Sequence, residues 1–143
     1  MLKFGDIMDI AVSGLGAQRA RLAATASNLA NAETTRTAEG GPYRRRDPVF
    51  GASPVGGAFS SQLDRAFKRV DVDRVAIDQR EPRASYEPGH PDADGAGYVR
   101  RPRIDVVVEL TNMMSASRSF DANLLVIRRV RTMAQAAMQI GRG

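Results

Sequence analysis

Residues 105–140 read DVVVELTNMMSASRSFDANLLVIRRVRTMAQAAMQI, with no proline or glycine among them. Val106, Leu110, Met113, Ser117, Phe120, Leu124 and Ile127 follow one another at alternating spacings of four and three. Such spacing makes the seam of a helix whose apolar stripe packs against another helix. The row then shifts phase to Val130, Met133, Ala137 and Ile140, which alters the local winding of paired helices. Arg128, Arg129 and Arg131 fall on the more exposed faces, and Gly141 and Gly143 stop the helix. At ~1.5 Å per residue this arm is about 50 Å long.

A second helical arm is read at the other end, from Phe4 to Asn31. Met8, Leu15, Leu22 and Leu29 recur every seven residues, and Phe4, Ala11, Gln18 and Thr25 fill a weaker alternate row. Asp6 and Asp9 suit the positive end of the helix dipole, and Asn31 is expected as a left-handed cap. Ser13, Gly14, Gly16, Ala17, Ala20, Ala23, Ala24 and Ala26 are small, which permits close approach of neighbouring helices at a cost of ~1 kcal/mol for each internal glycine. Met8, Met113 and Met138 are read as packing residues that adapt to irregular gaps.

All seven prolines lie between Pro42 and Pro102. Proline breaks helix interiors, so the chain divides into a helical arm (1–33), a Pro/Gly-rich irregular and β segment (34–104) and a second helical arm (105–143). Within the middle segment, Gly40-Gly41-Pro42 marks a turn, 43–50 a short strand and 52–57 a loop. From Phe67 to Ile77, Val70 and Val72 keep one alternation while Val75 and Ile77 keep the other, so a bulge or turn is expected near Asp73-Arg74. Residues 86–97 carry too much Pro, Gly and Asp for a regular element. Phe59 and five other aromatic residues lie in this middle segment, enough for a small β cluster. The expected fold is mainly α with a small irregular β segment, the terminal helices pairing as an antiparallel coiled-coil hairpin that buries further surface against other chains.

The 143 residues contain no cysteine and one histidine, which excludes a disulfide framework, thiolate chemistry and multi-His metal sites. No apolar run approaches the ~20 residues of a membrane span, and Asp6 and Asp9 interrupt any signal-peptide core. His90-Pro91-Asp92-Ala93-Asp94-Gly95 resembles a calcium loop only in part. Its first position is not an oxygen ligand and its twelfth is Arg101, so a turn capped by Asp side chains is expected. No phosphate loop or nucleophile elbow is visible, and neither an enzyme nor a cofactor is expected. The formal net charge is +5, with all but two of the 21 basic residues arginine. Arg44 and Arg45 follow Tyr43, and Arg100 and Arg101 follow Tyr98. Arg and Tyr side by side suit a protein interface or a phosphate surface.

The runs Ser13-Gly14-Leu15-Gly16-Ala17 and Asn28-Leu29-Ala30-Asn31-Ala32-Glu33-Thr34 resemble the N-terminal signature of bacterial flagellar rod and hook proteins. So do Thr34-Thr35-Arg36-Thr37, Gly40-Gly41-Pro42-Tyr43-Arg44-Arg45, Tyr86-Glu87-Pro88-Gly89-His90-Pro91-Asp92-Ala93-Asp94 and Gly97-Tyr98-Val99, which look like a proximal rod subunit of that family. Arg118, Ala122-Asn123 and Ile140-Gly141-Arg142 agree, whereas Arg103 and Phe120-Asp121 depart from the usual pattern. The resemblance implies a structural subunit of the proximal rod in the periplasm, needed for motility. It implies export through the flagellar type III apparatus without signal cleavage, and assembly of the paired terminal helices into a helical tube around the export channel. The implied partners are further copies of the chain, the other rod subunits (FlgB, FlgF, FlgG) and the hook–basal body adaptor FliE, with no nucleic acid. The alternative class is a basic helical nucleic-acid-binding or chaperone-like module.

Overall fold

The computed structural model describes residues 4–55 and 67–141. Phe59, part of the expected 52–57 loop and Gly143 lie outside the described residues. The elements, in chain order, are α1 (Phe4–Ala30), β1 (Arg46–Pro54), β2 (Lys68–Ile77), β3 (Arg83–Tyr86), β4 (Tyr98–Arg101) and α2 (Val106–Ile140). The described residues are mainly helical, with two small antiparallel sheets, β1–β2 and β3–β4.

Both helices begin and end close to the expected positions. Asp105 caps α2, its carboxylate accepting from the backbone N–H groups of Val107 (2.9 Å) and Val108 (3.2 Å). At the other end the Gly141 N–H donates to Ala137 O with the glycine in a right-handed conformation. Asn31 does not adopt the expected left-handed conformation; among the described residues only Gly40, Gly41 and Gly97 have positive φ. Its side chain ends α1 instead, the Nδ2 donating to Ser27 O at 2.9 Å and the Oδ1 accepting from Thr34 Oγ1. A polar side chain that satisfies a terminal carbonyl removes the need for a left-handed turn.

Strand β1 starts at Arg46, not Tyr43, and runs on through Ala52 to Pro54, where a loop was expected. Pro48 lies within it, although proline donates no ladder bond. The phase slip in β2 is a bulge: Val49 pairs with Arg74 and Phe50 with Val72, leaving Asp73 extra. Arg46, Pro48, Phe50 and Ala52 therefore lie across from Ile77, Val75, Val72 and Val70, and one face of the hairpin holds the three valines and the isoleucine of β2. Pro48 on this face is buried. The hairpin lies along α1: Val70 N donates to Ser13 Oγ (3.1 Å), the Arg21 guanidinium sits 5.3 Å from the Phe50 ring centroid, and Arg46 meets Asn28. On the opposite face the Asp73 carboxylate occupies the space a side chain at Gly51 would need.

Helices α1 and α2 pack against each other. Asn28 bonds to Glu109, and the Gly14 backbone faces Asn123, so the contacts run in opposite order along the two helices. Glu109, Ala116, Asn123 and Val130 stand seven residues apart, and three of them are buried. The innermost row is thus mostly small or polar over Glu109–Asn123, rotated there from the expected apolar row, and it meets the expected shifted row at Val130. Small groups at the line of contact let two backbones approach, and bulkier residues flank them. A further small core joins Ala32, Tyr43 and Ile104, and Val99 in β4 is wholly buried.

Candidate assembly surface and the polar clamp beneath it

The terminal helices and the middle segment are joined by a buried polar clamp. Asn28 and Glu109 are 0% and 1% exposed. Asn28 Nδ2 donates to Arg46 O (2.8 Å) and Glu109 Oε2 (3.1 Å), while Asn28 Oδ1 accepts from Arg46 N (2.8 Å) and the Tyr43 hydroxyl (3.1 Å). The amide side chain thus pairs with the Arg46 peptide as a strand neighbour would, and all its hydrogen-bonding positions on these partners are used. Tyr43 Oη also lies 3.1 Å from Ser27 Oγ. Glu109 Oε1 accepts from Arg45 Nε at 2.6 Å, and Arg45 Nη1 reaches Asp47 at 2.9 Å. Burial opposes the charge of Arg45, but hydrogen bonds and charges from Glu109 and Asp47 outweigh it and raise its pKa. A charge as deep as Glu109 is tolerated because both oxygens have partners.

Arg101 lies between Glu33, just after α1, and Glu87, which follows β3; its Nη2 is 2.8 Å from Glu87 Oε2. Hydrogen bonds from Arg101 and Ser85 hold the Glu87 carboxyl below its usual range. The His90–Gly95 stretch forms turns. Asp94 Oδ1 accepts from Ala96 N and Tyr98 N, each at 2.9 Å, and these bonds lower its pKa. The His90 ring Nδ1 accepts from Asp92 N, and Thr35 Oγ1 donates to Asp92 at 2.7 Å. Gly97, at φ 83°, keeps close to Tyr86, whose ring meets Tyr98 edge to face at 5.3 Å.

These contacts give the family-motif residues their places. Asn28 and Tyr43 are brought together in the clamp, and Asn31 and Thr34 close α1. Gly41 and Pro42 border an open groove with Pro91, Asp92, Asp94 and Tyr98. Leu29 and Ala30 are half-buried and exposed on the last turn of α1. Of the four arginines considered for an interface, Arg45 and Arg101 are engaged by carboxylates of this chain, whereas Arg44 and Arg100 are exposed. Along the helices, Met8, Leu15, Leu22, Met113, Phe120, Leu124 and Ile127 are half-buried, and Val106 and Leu110 are exposed. Glu109 stands in the first turn of α2, where the helix dipole favours a carboxylate, but nothing local marks it as a partner of Asn28. Its charge there is the one signal in the sequence, with no spacing to Asn28 or Arg45 to connect them.

Helix α2 has a second, uncovered apolar side. Val107, Met114, Leu125, Met133 and Ile140 are 72%, 57%, 54%, 61% and 82% exposed. Apolar residues this numerous on one long helix mark a contact surface, not a solvent face. No helix among the described residues is long and apolar enough to cross a membrane.

Both ends of the chain match models of flagellar rod proteins. Residues 8–36 match the model described as "Flagella basal body rod protein", and residues 96–140 match "Flagellar basal body rod FlgEFG protein C-terminal". A protein with these two segments folded together is a rod subunit of the bacterial flagellar basal body. Over nearly the full chain it is 42% identical to flagellar basal-body rod protein FlgC of Escherichia coli O6:H1, covering 95% of this chain and 96% of that one. It is 36% identical to FlgC of Borreliella burgdorferi (95% and 96% covered) and 33% to FlgC of Bacillus subtilis (94% and 96% covered). The chain belongs to the FlgC family of flagellar basal-body rod proteins.

Proposed function

We propose that this rod protein is a non-enzymatic subunit of the proximal rod that joins further copies and other rod subunits in a helical tube around the export channel. The uncovered apolar side of α2 carries the reading. A single chain leaves it in water, and repeated copies bury it. The two helical arms work as one antiparallel coiled-coil hairpin, and the middle segment, with Arg44 and Arg100, faces neighbouring subunits. The contact order Asn28–Glu109 and Gly14–Asn123 supports that pairing. FlgB, FlgF, FlgG and FliE are the proposed partners, the periplasm the proposed site, and export without signal cleavage the proposed route.

Replacing Val107 and Met114 with Asp tests this. Both are exposed, so the variant is expected to keep its helicity and unfolding midpoint while the cells lose motility. Unchanged swimming would overturn the reading. The seam is tested by Leu22→Asp with Leu124→Asp, which is expected to abolish both folding and assembly.

A further inference from the structure

Where the turn after β2 meets the segment that enters α2, four guanidinium groups surround one notch. Arg44, Arg45, Arg80 and Arg103 line it, and Asp78 is the one carboxylate among its lining residues. Pro82 and Pro102 give it stiff walls. Hydrogen bonds hold its sides together: Asp78 N donates to Arg45 O at 2.9 Å, and Arg44 Nη1 donates to Asp78 O at 3.2 Å. Three separate stretches of chain build the notch, so it exists only in the folded protein.

Two of the four cations are already neutralised. Arg45 meets Glu109 and Asp47, and Arg80 Nε donates to both oxygens of Asp78 at 2.9 Å. Arg44 and Arg103 are exposed and have no carboxylate partner among the described residues. Glu81 follows Arg80 in the sequence but does not line the notch. Like charges gathered this closely repel one another, and an anion between them relieves the repulsion. Guanidinium groups meet a carboxylate through directed, charge-assisted hydrogen bonds.

We infer that the notch between Arg44 and Arg103 receives an aspartate or glutamate side chain from a different, more acidic rod subunit. The inference rests on the proposed place in the rod and names the chemistry of the neighbour that the middle segment meets. This chain carries a net charge of +5, so the charges of two copies oppose each other and an acidic partner complements them. Two free cations in a narrow notch suit one acidic side chain. A nucleic acid would instead track a longer basic stripe.

The sequence has two lysines, Lys3 and Lys68, so an added amine is easily traced. Arg103→Lys keeps the charge and supplies that amine. Basal bodies from cells that carry the variant are treated with a carbodiimide, which joins an amine to a touching carboxylate as an amide without a spacer. Mass spectrometry is expected to find position 103 joined to an aspartate or glutamate of another rod protein, and Arg44→Lys to be joined to the same protein. Arg44→Glu with Arg103→Glu is expected to keep the urea midpoint of the isolated chain and to lower its amount in basal bodies at least tenfold. Basal bodies that contain the lysine variants without the amide, or with it only to a second copy of this chain, overturn the notch and leave the rod role standing. Unchanged incorporation of the double glutamate variant does the same. Stabilisation of the isolated chain by inorganic phosphate, with no amide in the basal body, would assign the notch to a free anion and overturn the partner. Native chain missing from basal bodies would overturn the rod role and the notch with it.

Discussion

Asn28 is the side chain on which the most contacts converge. Its amide donates to Arg46 O and Glu109 and accepts from Arg46 N and Tyr43. Aspartate has nearly the same shape but no donor, and would put a second negative charge beside Glu109. Asn28→Asp is expected to destabilise the fold by about 3 kcal/mol or more, read as a lowered urea midpoint. Glu109→Gln, which keeps the size and an acceptor, is expected to cost about 1–3 kcal/mol, and Glu109→Ala about 3–5 kcal/mol. A different sign is expected at Gln18, whose buried Oε1 has no hydrogen-bond partner among the described residues. Gln18→Leu removes that group and is expected to stabilise the fold by about 1 kcal/mol, read as a raised urea midpoint. None of these roles follows from type and spacing alone. Asn28 and Glu109 are 81 positions apart, and a polar residue in a heptad row reads the same whether it meets a partner or not.

The bulge in β2 shows how one extra residue sets a whole face. The reversal of alternation between Val72 and Val75 was readable in the sequence, since a strand without a bulge would turn one valine pair outward. Its partner strand was less readable. Pro48 and Gly51 weaken a strand by propensity, yet proline fits where no ladder donor is needed, and Gly51 leaves room for Asp73. Deleting Asp73 is expected to misalign Val70 and Val72 with Val75 and Ile77 and to release the hairpin from α1, seen as faster amide exchange at Val70. The turn after β2 responds to acid. A side-chain hydrogen bond from Arg80, with its backbone N–H, lowers the Asp78 carboxyl to about 2. A folded pKa below the unfolded value stabilises above the unfolded value, near 4, and that contribution disappears as pH falls through about 2. Asp78 resonances are expected to titrate in that range, and Arg80→Ala to move the titration up toward 4.

The chain is an incomplete object when alone. Its helix pair has an inner row of small and polar groups and an outer α2 side of exposed apolar groups, so part of the burial that stabilises such helices comes from other subunits. In the dilute subunit, amide exchange is expected to be fastest from Met133 to Ile140, where α1 no longer lies alongside, and slowest near Asn28 and Glu109. Uniform protection along α2 would contradict this view of the isolated chain. Within the basal body the same C-terminal turns are expected to become protected.

Local chemistry wrote the two long helices, the proline-bounded middle, the β2 bulge and the Asp-capped turn at His90–Gly95, because each depends on residues a few positions apart. Periodicity, proline and side-chain caps act over that range. Tertiary structure alone chose which helix row faces inward, joined Asn28, Tyr43, Arg45 and Glu109, and placed Arg101 between two glutamates. Those outcomes depend on the distance between backbones and on which polar groups lose water together, and neither is encoded in the spacing of any single element.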